Sequence, residues 1–417
     1  MQIQSIIRKL EPIKGFVLGK AQWVGRGANR HIEIRVRARK GSRAVCSCCG
    51  KPAPGYDTLP DRCFQFPPIW GIAVLLVYAM RRVQCGQCGV KVETISWADG
   101  KHRVTRTYQW YLARWAKLLS WQAAADALNT SWHYVFCSVQ MAVEWGLEHR
   151  SLKGITAIGV DELAWAHGHQ YLTAVYQINE GLKRLLWVGE HRRVKTLLRF
   201  FRWFGRERCE RLQIVCSDMW EPYLKVIRKK AGQALHILDR FHLVSHANKA
   251  VDEVRRKEAA ELRRKGCEPV LARSRWCLLK RFENMTFGQV WRLSDLLRLN
   301  LKTVRAYLLK ELLQMFWDYV SPYWAGRFLD EWCSKAMRSR LQPMKQVAKM
   351  YRSHRELILN WFRAKKEFSS GVVEGMNNKA KVAMRNAYGF STFKCLEIAL
   401  YHKLGDLPEP KTTHRFF

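Results

Sequence analysis

Apolar residues recur along the chain with different periods, and the change of period divides the sequence into regions. Residues 1–100 hold runs rich in β-branched side chains, such as His31–Val36 and Ala73–Val83, separated by Gly, Pro and Cys clusters. This pattern predicts a small β-rich module. Residues 101–150 place their apolar side chains at helical spacing, which predicts helices.

The stretch 151–240 predicts alternating strands and helices, and strand signals vanish from Phe241 to Phe368, where helical patterns dominate. The last stretch, Ser369–Leu404, predicts further helix. Three strands in a meander followed by helix-separated strands indicate a mixed α/β sheet. The predicted strands are Ile155–Val160, Tyr171–Ile178, Arg184–Val188, Leu212–Cys216 and Ala234–Leu238, and the predicted helices between them are Thr196–Phe204 and Pro222–Lys230.

Two short helical segments around Asn129–Thr130 form a candidate helix-turn-helix. Trp121–Leu128 is the expected supporting helix, and a recognition helix capped by Thr130 or Ser131 follows it. The alternative is an ordinary helical hairpin that packs on the core. The side chains expected to face DNA are His133, Tyr134 and Ser138.

The charge of the chain points to a partner. The sequence carries 72 Lys and Arg against 35 Asp and Glu, a formal net charge of +37. Such an excess predicts a polyanionic partner, and nucleic acid is the commonest one. The flanks 1–150 and 240–373 are more basic than the middle, which suits a catalytic core served by DNA-gripping modules. Solvated basic faces without a partner are the alternative.

Secretion and membrane insertion are not expected. Met1–Leu10 lacks the apolar core and cleavage pattern of a signal peptide. The longest apolar run, Pro67–Met80, has 14 residues, fewer than the roughly 17 that cross a bilayer. The 13 cysteines therefore indicate a reducing compartment, where metal ligation is favoured over disulfides.

Four of these cysteines form two Cys-x-x-Cys pairs, Cys46 with Cys49 and Cys85 with Cys88. Each pair places two thiolates on one tight turn, and two such turns complete a tetrahedral zinc site. The β-like spacer between the pairs predicts a zinc ribbon with one structural zinc ion, because four thiolate ligands leave no open position for chemistry. Four unligated core cysteines are the alternative.

Three acidic residues stand where catalytic groups gather in an α/β sheet. Asp161 directly follows the predicted strand that ends at Val160, and Asp218 lies just beyond the strand that ends at Cys216. Carboxylates at the strand ends of one sheet converge in space. Glu374 lies in a predicted helix whose other face is apolar. Three such acids suit two Mg²⁺ ions, which take oxygen ligands and promote phosphodiester transfer.

Each acid alone is weak evidence, because an Asp at a strand end is more often a helix cap or a turn former. Glu162, Glu190, Glu221 and Asp239 are rivals on the same terms. Asp239, which also follows a predicted strand, is the most serious substitute for Asp218.

Several motifs together resemble the Asp-Asp-Glu (DDE) transposases of bacterial insertion sequences, specifically the ISL3 group. The cysteine pairs are similar to the N-terminal zinc module of that family, and residues 101–150 to its helix-turn-helix. The matching catalytic and signature motifs, in chain order, are Gly159-Val-Asp-Glu, Ser217-Asp-Met-Trp-Glu-Pro-Tyr, Asp239-Arg-Phe-His-Leu-Val and Ser370-Gly-Val-Val-Glu-Gly-Met-Asn-Asn-Lys. They cover most of the chain in the expected order.

The resemblance implies a fold and a division into domains. A zinc ribbon (1–100) and a helix-turn-helix (101–150) would precede a ribonuclease-H-like core made of 151–244 and 369–404, and a helical insertion (245–368) would interrupt that core.

The resemblance also implies a site. It favours Asp218 over Asp239 as the second catalytic acid and leaves Asp239 and His242 to shape the site. His242 then contacts the scissile phosphate or is a packed, hydrogen-bonded histidine. The expected phosphate contacts beside Glu374 are Lys381 and Arg385, on its helix face, and Lys379, off that face. A solvated basic face is the alternative for these three.

The implied function is transposition: binding of insertion-sequence ends, then strand cleavage and strand transfer with two Mg²⁺ or Mn²⁺ ions per active site. The expected partners are double-stranded DNA, as terminal inverted repeats and target, and other copies of the chain in a homodimer or larger assembly. The expected location is the bacterial cytoplasm, on the nucleoid. The alternatives are a structure-selective nuclease on the same fold and a non-catalytic zinc and helix-turn-helix regulator.

Overall fold

The computed structural model describes residues 2–411 except 12, 100, 101, 167, 169, 367–370 and 388. The chain divides into two compact units. One unit comprises Met1–Leu152 with Ala380–Phe417, and the other comprises Lys153–Lys379. The finer domain boundaries expected from the sequence stay a prediction.

The first unit begins with a short helix and a five-stranded sheet. The strands lie in the order β1-β2-β4-β3, and β5 pairs with β4. Strands β2 and β4 are parallel, whereas the other neighbours are antiparallel. Alternate residues of β2 are buried, as expected for a sheet with one covered face. The elements are α1 (Ile3–Leu10), β1 (Phe16–Val24), β2 (His31–Ala38), β3 (Gly55–Ile69), β4 (Ile72–Cys85) and β5 (Gly89–Val92).

Three helices follow in the same unit, namely α2 (Arg106–Leu118), α3 (Trp121–Ala127) and α4 (Trp132–His149). The side-chain oxygens of Thr105, Ser120 and Ser131 accept a backbone N–H at the start of α2, α3 and α4 respectively. Such caps satisfy amide groups that a helix leaves without an internal partner. The turn between α3 and α4 passes through Asn129 in the left-handed region (φ 46°), which Asn tolerates.

The second unit is built on a five-stranded mixed sheet. The strand order is β10-β9-β6-β7-β8, in which β6, β7 and β8 are an antiparallel meander and β9 and β10 run parallel to β6. This is the order expected of a ribonuclease-H-like core, and it confirms the predicted α/β class. The elements are β6 (Ala157–Ala166), β7 (Gln170–Asn179), β8 (Leu182–Glu190), α5 (Val194–Phe204), α6 (Arg206–Glu210), β9 (Ile214–Ser217), α7 (Glu221–Lys230) and β10 (Leu235–Leu238).

One detail of this sheet differs from the prediction. Strand β6 continues to Ala166, so Asp161 lies within the strand instead of directly after it. The strand continues through the polar residues Asp161 and Glu162 because its antiparallel pairing with β7 continues there. Asp161 lies opposite Ala174, and Glu162 lies opposite Thr173.

Helices make up the regular structure described beyond β10, apart from two short 3-10 turns. They are α8 (Arg240–Arg264), α9 (Arg275–Leu279), α10 (Phe287–Leu297), α11 (Lys302–Gln314), α12 (Pro322–Arg338), α13 (Gln342–Ser353), α14 (Arg355–Arg363), α15 (Gly371–Asn386) and α16 (Phe393–Leu404). In the second unit, Asn360 of α14 donates a hydrogen bond to the carbonyl of His236 in β10 (2.8 Å), which ties the helical region to the sheet edge. Among the described residues, no helix has the length and apolarity needed to cross a membrane.

Candidate active site

Asp161 lies in the central strand of the second sheet and is held from two sides. Its Oδ1 accepts the backbone N–H of Glu162 (2.7 Å), and its Oδ2 accepts a hydrogen bond from the side-chain amide of Asn377 in α15. Asn377 in turn accepts a hydrogen bond from the buried hydroxyl of Tyr176 (2.8 Å). The relay from β7 through α15 fixes the orientation of this carboxylate.

Burial raises the pKa of Asp161 above its usual range, and the negative charges of Asp218 and Asp239 act in the same direction. The positive form of His242 acts in the opposite direction. The three aspartates and the histidine are therefore close enough to interact electrostatically. A group of acids that repel one another in this way favours a bound cation.

Asp218 follows β9, and its carboxylate lies near the guanidinium of Arg192. Its Oδ1 accepts the backbone N–H of Trp220 (3.1 Å), and its Oδ2 lies 3.6 Å from Nη2 of Arg192. The Arg192 Nε is also 2.5 Å from Oε1 of Glu162, and its Cζ lies 4.4 Å from the centre of the Trp220 ring. Arg192 thus joins two carboxylates and stacks on an aromatic side chain.

Glu162, beside Asp161 on β6, is mostly buried. Burial, reinforced by the charge of Asp218, raises its pKa to about 8, although Arg192 lowers it in part. Its contact with Arg192 places that guanidinium between Glu162 and Asp218.

Asp239 has two structural tasks, which distinguish it from Asp218. It is the N-cap of α8, because its Oδ1 accepts the backbone N–H of Phe241 (2.7 Å), and its Oδ2 lies 2.9 Å from Nδ1 of His242. The hydrogen bond to Asp239 raises the pKa of His242, and the charges of Asp161 and Asp218 add to that rise. His242 therefore lies within hydrogen-bond distance of Asp239 and close enough to the other two aspartates to interact with their charges.

Glu374 lies in the first turn of α15, and its side chain is exposed. On the adjoining face of the helix, Val373 packs closely on Gly159 of β6, and Asn377, one turn after Glu374, reaches Asp161. Within the described part of the chain, only the cysteine group discussed below has ligand atoms that all lie within 4.8 Å of one another. The three predicted acids are not gathered as tightly as that.

The predicted phosphate contacts and recognition residues lie on exposed helix surfaces, with one exception. Lys379, Lys381 and Arg385 are exposed along α15. His133 is exposed and Tyr134 half-buried in the first turn of α4. The expectation that Ser138 faces DNA was wrong, because Ser138 is fully buried and its hydroxyl donates to the carbonyl of Tyr134 (2.6 Å).

The two Cys-x-x-Cys pairs meet in the first unit. The Sγ atoms of Cys46, Cys49, Cys85 and Cys88 all lie within 4.8 Å of one another, which is compatible with a zinc site. Backbone N–H groups of Gln87 and then Cys88 lower the pKa of Cys85 to about 7, whereas the pKa of Cys49 and that of Cys88 are raised.

Sequence reasoning missed Arg192, Asn377 and Tyr176. Arg192 follows the predicted third strand, and its position near a strand end was the signal that could have placed it close to the acids. Asn377 stands one helical turn after Glu374 inside the third motif, so helical spacing alone could have placed it on the sheet. No pattern in the sequence singles out Tyr176 among the buried residues of β7.

Comparison with known proteins identifies the family of this chain. A transposase family model, that of the ISL3-type DDE enzymes, matches residues 158–400. The transposase for insertion sequence element IS1001 from Bordetella parapertussis is 28% identical over 391 residues, covering 93% of this chain and 95% of the relative. The transposase for IS1557 from Mycobacterium tuberculosis is 27% identical over 398 residues, covering 89% of this chain and 88% of the relative. The family match spans more than half of the chain and takes in Asp161, Asp218 and Glu374, so the chain belongs to the ISL3 family of DDE transposases.

Proposed function

We propose that this transposase cleaves and joins DNA strands at a site made of Asp161, Asp218 and Glu374. The observation that carries the proposal is the pair of aspartates in β6 and directly after the adjacent strand β9, with basic groups around them. Water attacks the phosphate at the element's end and frees a 3′-hydroxyl, which then attacks a second phosphodiester. Neither step needs a covalent bond to the protein.

Membership in this family implies the use of a divalent metal, and the residues present fit one. The donors are carboxylate oxygens, the ligands that Mg²⁺ and Mn²⁺ prefer. The Arg192 guanidinium between Asp218 and Glu162 already serves as a positive group at this place. We propose two Mg²⁺ or Mn²⁺ ions held by Asp161, Asp218 and Glu374. When bound, such ions activate the attacking oxygen and stabilise the leaving oxygen.

The remaining residues of the site act on the DNA or on the acids. Asn377 keeps the Asp161 carboxylate oriented through its hydrogen bond. Asp239 holds His242 through a hydrogen bond, and His242 so placed is suited to contact the scissile phosphate. We assign phosphate contacts outside the site to Lys379, Lys381 and Arg385.

We further propose that the first unit recognises the element's ends. Helix α4 would enter the major groove with His133 and Tyr134 at its start, in the manner of a recognition helix. Two chains would act together on two ends of double-stranded DNA. The site of action would be the chromosome in the bacterial cytoplasm.

The cysteine cluster is proposed to bind one structural zinc ion. Cys46→Ser combined with Cys88→Ser removes one thiolate from each pair, so we expect metal analysis to show loss of zinc and of folded protein. Cys63→Ser is the matched control, because Cys63 is an exposed cysteine of the same sheet and lies outside the cluster. Zinc retained by the double variant would contradict the assignment.

The experiment that tests the function is incubation of the full chain and Mg²⁺ with DNA that carries the element's ends, followed by mapping of nicks and joints. Nicks at the ends together with strand joints are expected. Nicks without joints would indicate a nuclease on this fold, and binding without nicks would indicate a regulator.

A further inference from the structure

The turn between two strands of the first sheet carries an exposed tryptophan that does not pack into the fold. Strands β3 and β4 are joined by a two-residue turn, Trp70-Gly71, which we call the hairpin tip. The Trp70 side chain is 95% exposed, the highest value among the exposed large apolar residues of the described chain. Burial therefore contributes nothing to its presence there.

The backbone conformation of the hairpin tip is also unfavourable for a tryptophan. Trp70 has φ 51° and Gly71 has φ 78°, so both central residues adopt left-handed conformations. A two-residue turn of this kind favours Asn-Gly, because Asn tolerates the left-handed region and a bulky residue is strained in it. Tryptophan at this position costs stability and gains no packing. A contact outside the chain is the remaining physical reason for it.

A basic loop, preceded by a tryptophan near the end of β1, lies at the same end of the sheet. Strand β2 runs parallel to β4 with Ile32 opposite Val74, so the β1–β2 loop, residues 25–30, is beside the hairpin tip. The guanidinium of Arg30 lies 4.3 Å from the ring centre of Trp23, and Arg26 and Arg30 are exposed.

The loop and the hairpin tip carry no acidic residues of their own. Residues 23–31 and 69–72 contain no Asp or Glu. The nearest acid in sequence, Glu33, lies 3.0 Å from His31. The end of the sheet therefore presents aromatic rings next to positive charge.

The distance between the hairpin tip and the helix-turn-helix would allow both to contact one DNA duplex. The turn before α4 is tied to β3, where Thr130 Oγ1 donates to Gln65 Oε1 (3.0 Å). Gln65 stands five residues before Trp70, which is roughly 17 Å along an extended strand. Half a turn of DNA is also about 17 Å, so a tip beside a helix in the major groove faces the next minor groove. The cysteine cluster lies at the other end of β4, where it cannot make this contact.

We propose that Trp70 stacks on a nucleobase of the bound DNA while Arg26 and Arg30 contact the flanking phosphates. The placement in the minor groove rests on the proposed role of α4. Apolar wedges at base steps and aromatic platforms for unpaired bases are both known ways in which proteins bind a nucleobase. The base comes either from an opened step of the duplex or from an unpaired strand end.

The test compares Trp70→Asn with Tyr56→Asn in the full chain. Tyr56 is the matched control, because it is another exposed aromatic residue of this hairpin and lies beside an arginine, Arg82. It stands in β3 at the end of the hairpin opposite to Trp70. The probe is a short blunt duplex of mixed sequence. We expect Trp70→Asn to keep or raise thermal stability and to weaken binding by about 10-fold, as loss of one stacked base does. Tyr56→Asn should bind as the unaltered chain does. Arg26→Ala with Arg30→Ala should reduce the salt slope of binding by about 1.8.

Photocrosslinking locates the contact and its source. Iodouracil is placed at a central paired position in one duplex and at an unpaired end in another, and crosslinked tryptic peptides are identified by mass spectrometry. Adducts on the peptide 63–81, absent in Trp70→Asn, support the proposal, and the duplex that gives them identifies the source. Unchanged affinity of Trp70→Asn, or no adduct on this peptide with either duplex, overturns it. Neither result depends on cleavage, so failure of the catalytic assignment would not be mistaken for failure of this one.

Discussion

Gly159→Ala is a small change that tests how closely α15 packs on the second sheet. A Cβ at this position would lie 2.4 Å from Cγ2 of Val373 and 3.5 Å from Cγ2 of Ile178. An ordinary carbon contact is about 3.5 Å, so the helix and the strand must separate by roughly 1 Å. Such overpacking costs about 1–3 kcal/mol of unfolding free energy. Because the Asn377–Asp161 hydrogen bond is one turn further along α15, the same shift disturbs Asp161.

We therefore expect Gly159→Ala to lower strand cleavage by up to about 100-fold, the penalty of a displacement of about 1 Å in an active site. DNA affinity should stay unchanged. The matched rescue is Val373→Ala, which removes the methyl group that the new Cβ would meet. The double variant should regain most of the cleavage and thermal stability, as measured by nick mapping and thermal unfolding. Full cleavage by Gly159→Ala, or a double variant no better than the single one, would refute this packing argument.

Two further predictions concern buried polar groups. Asn377→Ala leaves the Tyr176 hydroxyl unpaired, so it should cost about 1–3 kcal/mol in thermal unfolding and reduce cleavage, and Tyr176→Phe should cost about 1 kcal/mol; a fully active Asn377→Ala would remove the relay from the account. Burial raises the pKa of Glu11 to about 7 from a usual value near 4.5. The folded chain then holds a proton that the unfolded chain releases, so stability should fall by at most about 3 kcal/mol as the pH rises from 4.5 to 7. Glu11→Gln should flatten that profile, and an identical slope in both proteins would show that another group titrates.

The sequence contained enough to predict the central sheet and its acids. Apolar runs such as Tyr171–Ile178 are bounded by polar residues, so period and length predict the buried strands to within a few residues, except for the end of β6, which continues through polar residues to Ala166. The cysteine pairs were predictable for a different reason, since their spacing is fixed by ligand geometry. The structure confirms the mixed α/β class and brings the four thiols together.

What the sequence left out depends on contacts between distant residues. Strand β3 was not predicted individually, because Gly55, Pro60 and Pro67 interrupt its pattern, yet antiparallel pairing with β4 tolerates them through register shifts. Helical spacing could have placed Asn377 against the sheet but not identified its partners, since Asp161 and Tyr176 lie more than 200 residues away. The burial of Ser138 likewise depends on how α4 packs and not on its distance from the cap.

The most direct test of the account is strand cleavage by Asp161→Asn, Asp218→Asn and Glu374→Gln, measured together with DNA affinity. Each removes one negative oxygen ligand and keeps the shape of the side chain. Glu221→Gln is the control, because Glu221 is an exposed acid at the start of α7 outside the proposed set. All three variants should bind DNA as well as the unaltered chain and none should cleave it, whereas Glu221→Gln should cleave normally. Cleavage that survives in any of the three would contradict the assignment of that carboxylate, and survival in Asp218→Asn would contradict the account at its centre.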